Sequence, residues 1–73
     1  MRYELWGLQP ANLIDTFESE SEALAEVRGL LDEGWSADDL SLGRVDTKTV
    51  VAEGSALAAL AARDDDARQA RSA

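Results

Sequence analysis

The chain divides into two halves that repeat the same order, two strands followed by a helix. Alternating apolar residues predict the strands, and apolar residues at spacings of three and four predict the helices. The predicted elements, in chain order, are strands at 2–8 and 12–17, a helix at 19–33, strands at 40–45 and 49–53, and a helix at 55–63. This β-β-α-β-β-α order predicts an α+β two-layer sandwich, with a four-stranded antiparallel sheet carrying both helices on one face.

The two halves also match at individual positions, although the correspondence is more topological than literal. The matched pairs are Leu5 with Leu42, Leu13 with Thr49, Ser19 with Ser55, Leu24 with Leu57, and Val27 with Leu60. Internal repeats of this length are a signature of duplicated units. The matches favour a duplication without establishing one.

The first hairpin has two candidate registers around a turn at 9–12. A three-residue turn places Tyr3 opposite Phe17 on one face and Trp6 opposite Ile14 on the other. A four-residue turn instead gathers one mixed set on a single face: Trp6, Leu8, Leu13, Phe17, Glu4 and Asp15. The first register buries one carboxylate position and the second buries two, so the cost of desolvation favours the first.

The first helix carries start and stop signals. Ser19 and Glu22 form a capping box, in which the serine oxygen accepts from the backbone of the third helical residue. Gly34 ends the helix in a left-handed conformation, and Trp35 can then fold back on Leu30. We therefore expect Trp35 to cover the core as a lid.

The second helix has a weaker pattern. Residues 56–62 have high helix propensity but only two large apolar side chains. The aspartates at 64–66 fall where a helix C-terminus favours cations. We therefore predict that the helix frays after about Arg63, which gives one domain at 1–63 and a charged C-terminal tail at 64–73.

Length limits how stable this domain can be. A 73-residue chain buries only about 60% of the surface that its unfolded form exposes. Its core contributes about 3–5 kcal/mol net. The sequence has no cysteine and no histidine, so neither a disulfide nor the usual zinc site can add to that. Close packing or self-association must supply the difference.

Charge and hydropathy narrow the classes of partner. A net charge of −8 repels phosphate backbones and anionic lipid headgroups, which disfavours direct binding to nucleic acid or to a membrane surface. No segment approaches the ~20 apolar residues of a membrane span, and a strand begins at Arg2 where a signal peptide would be apolar. We therefore expect a soluble cytoplasmic protein.

Catalytic groups are scarce. Glu18, Glu20 and Glu22 cluster at a helix start, where carboxylates stabilise the helix dipole and nothing indicates a cleft that would split their pKa values. The aspartates at 64–66 are adjacent and do not alternate as calcium ligands do. The serines lack a His or Lys base, and the glycines form no phosphate-binding motif. We expect no enzyme activity, cofactor or metal site.

The outer face of the sheet is the surface left to explain. With both helices on one side, this face leaves Trp6, Ile14 and Leu8 in water, and Val50 joins them if the fourth strand has matching parity. A contiguous apolar patch usually marks an interface, and tryptophan is a frequent interface anchor. The alternative is that Trp6 packs on the C-terminal segment or covers a small sheet.

Several segments together resemble a group of short, acidic, uncharacterised bacterial proteins. The segments are YELW at 3–6, NLI at 12–14, Phe17, EAL at 22–24, VR at 27–28, LL at 30–31, ADDL at 37–40 and AEGSAL at 52–57. The likeness covers residues 3 to about 60. It implies a self-standing domain in the bacterial cytoplasm and no catalytic residue. The chain departs from the group in a short connection at 34–37 and in the turn at 46–48, which lacks glycine.

These observations predict a small non-catalytic module for protein interaction or regulation. It would bind another protein, or itself as a homodimer, through the outer sheet face or a free strand edge. One alternative is an acidic mimic of nucleic acid that binds a basic protein. Another is a small-ligand sensor with a pocket between the first helix and the sheet.

Overall fold

A computed structural model describes residues 2–8 and 11–72 and confirms the predicted α+β fold. One open antiparallel sheet has the strand order β2-β1-β3-β4, and both helices contribute to a single apolar core on one of its faces. The elements are β1 (Tyr3–Leu8), β2 (Ala11–Phe17), α1 (Glu20–Asp32), a 3-10 turn (Ala37–Asp39), β3 (Leu40–Arg44), β4 (Thr49–Glu53) and α2 (Gly54–Ser72). Every predicted boundary lies within one residue of the observed one except the end of α2, which the sequence pattern placed nine residues too early.

A β-bulge settles the register of the first hairpin. Tyr3 pairs with Phe17, as a three-residue turn requires, but the register then shifts by one so that Trp6 pairs with Leu13. Ile14 is the extra residue of the bulge. The prediction that Trp6 lies opposite Ile14 is therefore wrong, because it assumed strict alternation along the whole strand. The turn residues 9 and 10 lie outside the described part of the chain.

The same bulge recurs in the second hairpin. There the register shifts between Leu42 and Gly43, and Val51 is the extra residue. Ile14 and Val51 both pack against the core. Each bulge therefore turns one additional apolar side chain inward, which strict alternation would have placed in solvent.

The two halves are related by an internal two-fold arrangement in the sheet. Leu5 pairs with Leu42 across the two central strands, and the pairing runs symmetrically outward on both sides of them. A constant offset of 37 residues relates Leu5 to Leu42 and also relates the bulge residue Ile14 to Val51. The same offset matches Leu13 with Val50, so the expected match with Thr49 is displaced by one residue.

The core lies between the sheet and the helices. Its buried members are Tyr3, Leu5, Ala23, Leu24, Val27, Leu30, Leu40, Leu42, Leu57 and Ala61. The apolar stripe of α1 supplies four of these side chains, whereas α2 supplies Leu57 and Ala61. Small side chains on α2 allow it to lie close to its neighbours, which suits a thin core.

Both ends of α1 follow the predicted chemistry in the backbone. The Ser19 hydroxyl oxygen accepts from the Glu22 amide at 3.2 Å. At the other end, Gly34 has φ +105°, and the Trp35 amide donates to the Leu30 carbonyl at 3.0 Å. These contacts form the predicted cap and a Schellman motif. Trp35 itself is 44% exposed, so it does not close the core as the expected lid.

The second helix extends to Ser72, nine residues past the predicted end at about Arg63. Arg28 on α1 supports the part of this extension nearest to Arg63. Its guanidinium donates to the Ala61 carbonyl at 2.9 Å and to the Asp64 carboxylate at 3.2 Å, and it lies 3.8 Å from Asp65. Carboxylates that disfavour a helix C-terminus in water are here paired with a cation from the neighbouring helix. The residues assigned to a separate tail therefore begin as part of α2.

The connection from β4 into α2 is direct. Gly54 has φ +61° and is the first residue of the helix, so Ser55 lies within the first turn instead of preceding it as the predicted cap. A Cβ atom at Gly54 would lie 3.4 Å from the Asp38 carboxylate. Glycine therefore permits both the left-handed backbone and the close approach of the 3-10 turn.

Candidate interaction surface

The outer face of the sheet is the side that no helix covers. In antiparallel pairing, directly opposite residues share a face, so the register identifies its members. They are Glu4, Trp6 and Leu8 on β1, Ala11, Leu13 and Thr16 on β2, Ser41 and Gly43 on β3, and Val50 and Glu53 on β4. This surface presents apolar side chains at two diagonal corners, with polar and small residues between them.

Three large apolar residues form the first corner, which we name the aromatic corner: Trp6, Leu8 and Leu13. Leu13 lies directly opposite Trp6, and Leu8 follows Trp6 by two residues on the same side of β1. Leu13 is 43% exposed, Leu8 is 37% exposed and Trp6 is partly buried. The aromatic corner is therefore a contiguous apolar patch, and its tryptophan is partly buried within the sheet.

The diagonal corner, which we name the valine corner, consists of Val45 and Val50. Val50 is 63% exposed, the highest value among the exposed large apolar residues. The offset of 37 relates Leu13 to Val50, Leu8 to Val45 and Trp6 to Gly43. A Cβ atom at Gly43 would lie 3.3 Å from the Thr49 carbonyl oxygen, so any side chain at that position would crowd the backbone of β4.

Three of the four candidate residues predicted from the sequence lie on the outer face, and one does not. Trp6, Leu8 and Val50 lie on it, whereas Ile14 packs against the core and must be removed from the set. Ile14 lies beside Gly7 on the core face, where a Cβ atom at Gly7 would lie 3.6 Å from the end of the Ile14 side chain, an ordinary van der Waals contact. Leu13 occupies the outer face instead of Ile14. The alternative register with a four-residue turn had already placed Leu13 and Trp6 on the same face.

Carboxylates flank the aromatic corner. Glu4 precedes Trp6 by two residues on β1, and Glu53 lies in the same cross-strand row as Trp6, with Ser41 between them. Ser41 is only 8% exposed although it belongs to the outer face. The charged side chains that the described strands place on the outer face, Glu4 and Glu53, are therefore both negative. Ser41, between Trp6 and Glu53, is a small and nearly buried residue.

The two edges of the sheet, β2 and β4, both carry a bulge. A bulge bends the strand and interrupts the regular row of backbone donors and acceptors that a further strand would need. Strand addition at either edge is thus less favourable than docking on the outer face.

The helical layer contains an open groove of about 310 Å³. It runs between α1 and α2, with Leu31, Ala58 and Ala62 along its walls and Arg28 at one side. This groove lies between the two helices, whereas the sequence analysis considered a ligand pocket between α1 and the sheet. Arg28 is engaged by Ala61, Asp64 and Asp65, so its charge already has partners.

A second polar cluster lies on the helix side of the sheet at the end of β3. Arg44 pairs with Asp46 at 2.8 Å and lies 5.9 Å from the centre of the Tyr3 ring. The hydrogen bond from Arg44 lowers the pKa of the Asp46 carboxyl, and the same bond raises the pKa of Arg44. This exposed pair fixes the turn between β3 and β4 and faces no cleft.

The part of the chain that the structure describes contains no group of three or more side chains placed to hold a metal ion. Glu18, Glu20 and Glu22, the strongest acid-base candidates in the sequence, lie at or before the start of α1. Within that same part, no helix is long and apolar enough to cross a membrane.

Comparisons with known proteins give no relative for this chain. No protein-family model, no curated protein and no solved structure matches it.

Proposed function

We propose that this protein is a small non-catalytic interaction module that binds a protein partner through the outer face of its sheet. The observation that carries the proposal is the aromatic corner, where Trp6, Leu8 and Leu13 lie side by side on the sheet face opposite the core and its helices. A bacterial cytoplasmic setting belongs to the same proposal and rests on the resemblance of the sequence.

The remainder of the surface supports this choice by contrast. The other tryptophan, Trp35, is exposed and lies in the loop after α1, whereas Trp6 lies on β1 between two paired strands. A side chain held by the sheet loses less conformational entropy when a partner binds. Trp6 is therefore the better anchor of the two.

The test separates association from folding. Trp6→Ala should reduce association with a protein partner strongly while lowering the free energy of unfolding by less than about 1 kcal/mol, because Trp6 lies outside the buried core. Co-purification of proteins from bacterial cells would report association, and urea denaturation would report folding. Trp35→Ala is the matched control and should leave both unchanged.

Equal losses in association and in stability would place Trp6 in the core and contradict the proposal. So would a Trp35→Ala variant that loses partners while Trp6→Ala keeps them.

A further inference from the structure

The charges around the aromatic corner indicate what kind of partner it fits. Resting on the proposed function, we infer that the occupant is a basic, apolar segment of a different protein, not a second copy of this chain. Its apolar side chains pack on Trp6, Leu8 and Leu13, and its Lys or Arg residues lie near Glu4 and Glu53. Complementary charge of this kind steers encounter and selects among apolar partners.

A second copy fits the same face poorly. Face-to-face docking would bring Glu4 and Glu53 of both chains into one interface, and each chain carries a net charge of −8. Like charges brought together in this way oppose association. Arg2 precedes Glu4 by two residues on the same side of the chain, and its carbonyl accepts from the Val45 amide. This cation therefore lies at the valine corner, about 13 Å along the strand from Trp6.

The size of the face supports the same occupant. Four strands about 4.8 Å apart and five to seven residues long give a flat extent of roughly 19 by 19 Å, or about 360 Å². A stable interface between two folded proteins buries about 800 Å² of accessible surface on each partner. The outer face matches the footprint of one short segment, and a firm homodimer would need surface beyond it as well.

The geometry also sets the spacing that the segment needs. Glu4 lies two residues from Trp6 along β1, about 7 Å away, and Glu53 lies two strands away, about 10 Å. Successive turns of a helix place side chains about 5–6 Å apart, so an apolar stripe flanked by cations on an amphipathic helix reaches both carboxylates. The partner segment then binds as a helix lying across the sheet.

The experiment uses the two tryptophans as separate reporters. Trp35→Phe leaves Trp6 as the single tryptophan, and Trp6→Phe leaves Trp35. The probe is a synthetic amphipathic helix of leucine and lysine, compared with the same helix carrying glutamate in place of lysine. We expect the lysine peptide to shift the Trp6 emission to shorter wavelength in a saturable way, while the glutamate peptide and the Trp35 reporter show no shift.

Charge variants then locate the binding site. Glu4→Gln with Glu53→Gln should weaken binding of the lysine peptide by about threefold to tenfold, as expected for charges at the rim of an interface. The matched control is Glu26→Gln with Asp32→Asn, which removes two exposed carboxylates from α1. It should change the dissociation constant by less than about twofold, since those groups lie on the opposite layer.

Three results would overturn the inference. Equal weakening by the two double variants would mean that the peptide binds the acidic surface at large. A Trp6 emission that ignores the peptide but shifts with protein concentration, together with a dimer in sedimentation, would identify a second copy as the occupant and leave the proposed function standing. A Trp6 emission that responds to neither, with Trp6→Ala retaining every co-purified protein, would end both.

Discussion

The two halves of the molecule share a backbone and differ in what they display. Each has a hairpin with one bulge, and the central leucines Leu5 and Leu42 occupy equivalent buried positions. On the outer face the halves differ at several positions: the offset of 37 relates Trp6 to Gly43, Glu4 to Ser41 and Thr16 to Glu53. The two halves therefore share buried central leucines and differ in the side chains of the outer face.

The helices differ in the way they are stabilised. A serine cap and a Schellman motif close the two ends of α1, and it buries four apolar side chains. Among the side chains of α2 that the structure describes, up to position 67, the buried apolar ones are Leu57 and Ala61, and this helix accepts a hydrogen bond from a cation of α1. The second helix therefore depends on a contact with the first, so a substitution at Arg28 in the first half should destabilise α2 in the second.

The largest effects should come from the two equivalent leucines. Leu5→Ala and Leu42→Ala should each lower the free energy of unfolding by about 3 kcal/mol, because both side chains are fully buried. Since a domain this small has little stability to lose, Leu5→Val and Leu42→Val should be measured beside them and should each cost about 1 kcal/mol. Urea denaturation is the measurement. A difference above about 1.5 kcal/mol between the members of either pair would break the symmetry of the core.

A smaller effect should follow from removing the link between the helices. Arg28→Ala should lower the free energy of unfolding by about 1–2 kcal/mol, because it removes hydrogen bonds to Ala61 and Asp64 in a partly buried setting. It should also reduce the helical circular dichroism signal, since the carboxylates after Ala61 then lose their cation. Arg63→Ala, at an exposed position of α2, is the control. Unchanged helix content in Arg28→Ala would show that α2 holds its length without α1.

The smallest effects should come from two glycines of the first half and should have opposite signs. Gly34→Ala should destabilise the protein by about 1 kcal/mol because Gly34 has φ +105°. Gly29→Ala should stabilise it by about 0.5–1 kcal/mol, since Gly29 lies inside α1 with open space around its Cα. Thermal unfolding of both variants would check this. Destabilisation by Gly29→Ala would contradict the open space at this position and would mean that a neighbouring group contacts this face of α1.

Local signals in the sequence were sufficient for most of the fold. The order of elements and the cap at Ser19 follow from residues within one turn or one strand. The Schellman motif at Gly34 is equally local. These features depend on backbone chemistry that neighbours in sequence decide, so a single sequence suffices to predict them.

Long-range contacts account for what the sequence pattern missed. The bulge at Ile14 lies in a strand pairing that brings Ile14 beside Gly7, and the aspartates of α2 are paired with Arg28, which lies 36 residues before Asp64. Neither partner can be recognised from spacing along the chain. In the candidate site, the sequence pattern predicted Ile14 on the outer face, whereas the structure has Leu13 there opposite Trp6.

We propose that the outer sheet face, and not the groove between the helices, receives the partner. Amide chemical-shift mapping of isotope-labelled protein with the lysine and leucine peptide would locate the bound peptide on the molecule. We expect perturbations that centre on Trp6, Leu13 and Ser41 on the outer face and decline toward the helices. Perturbations that instead centre on Leu31 and Ala58, which line the groove, would contradict it.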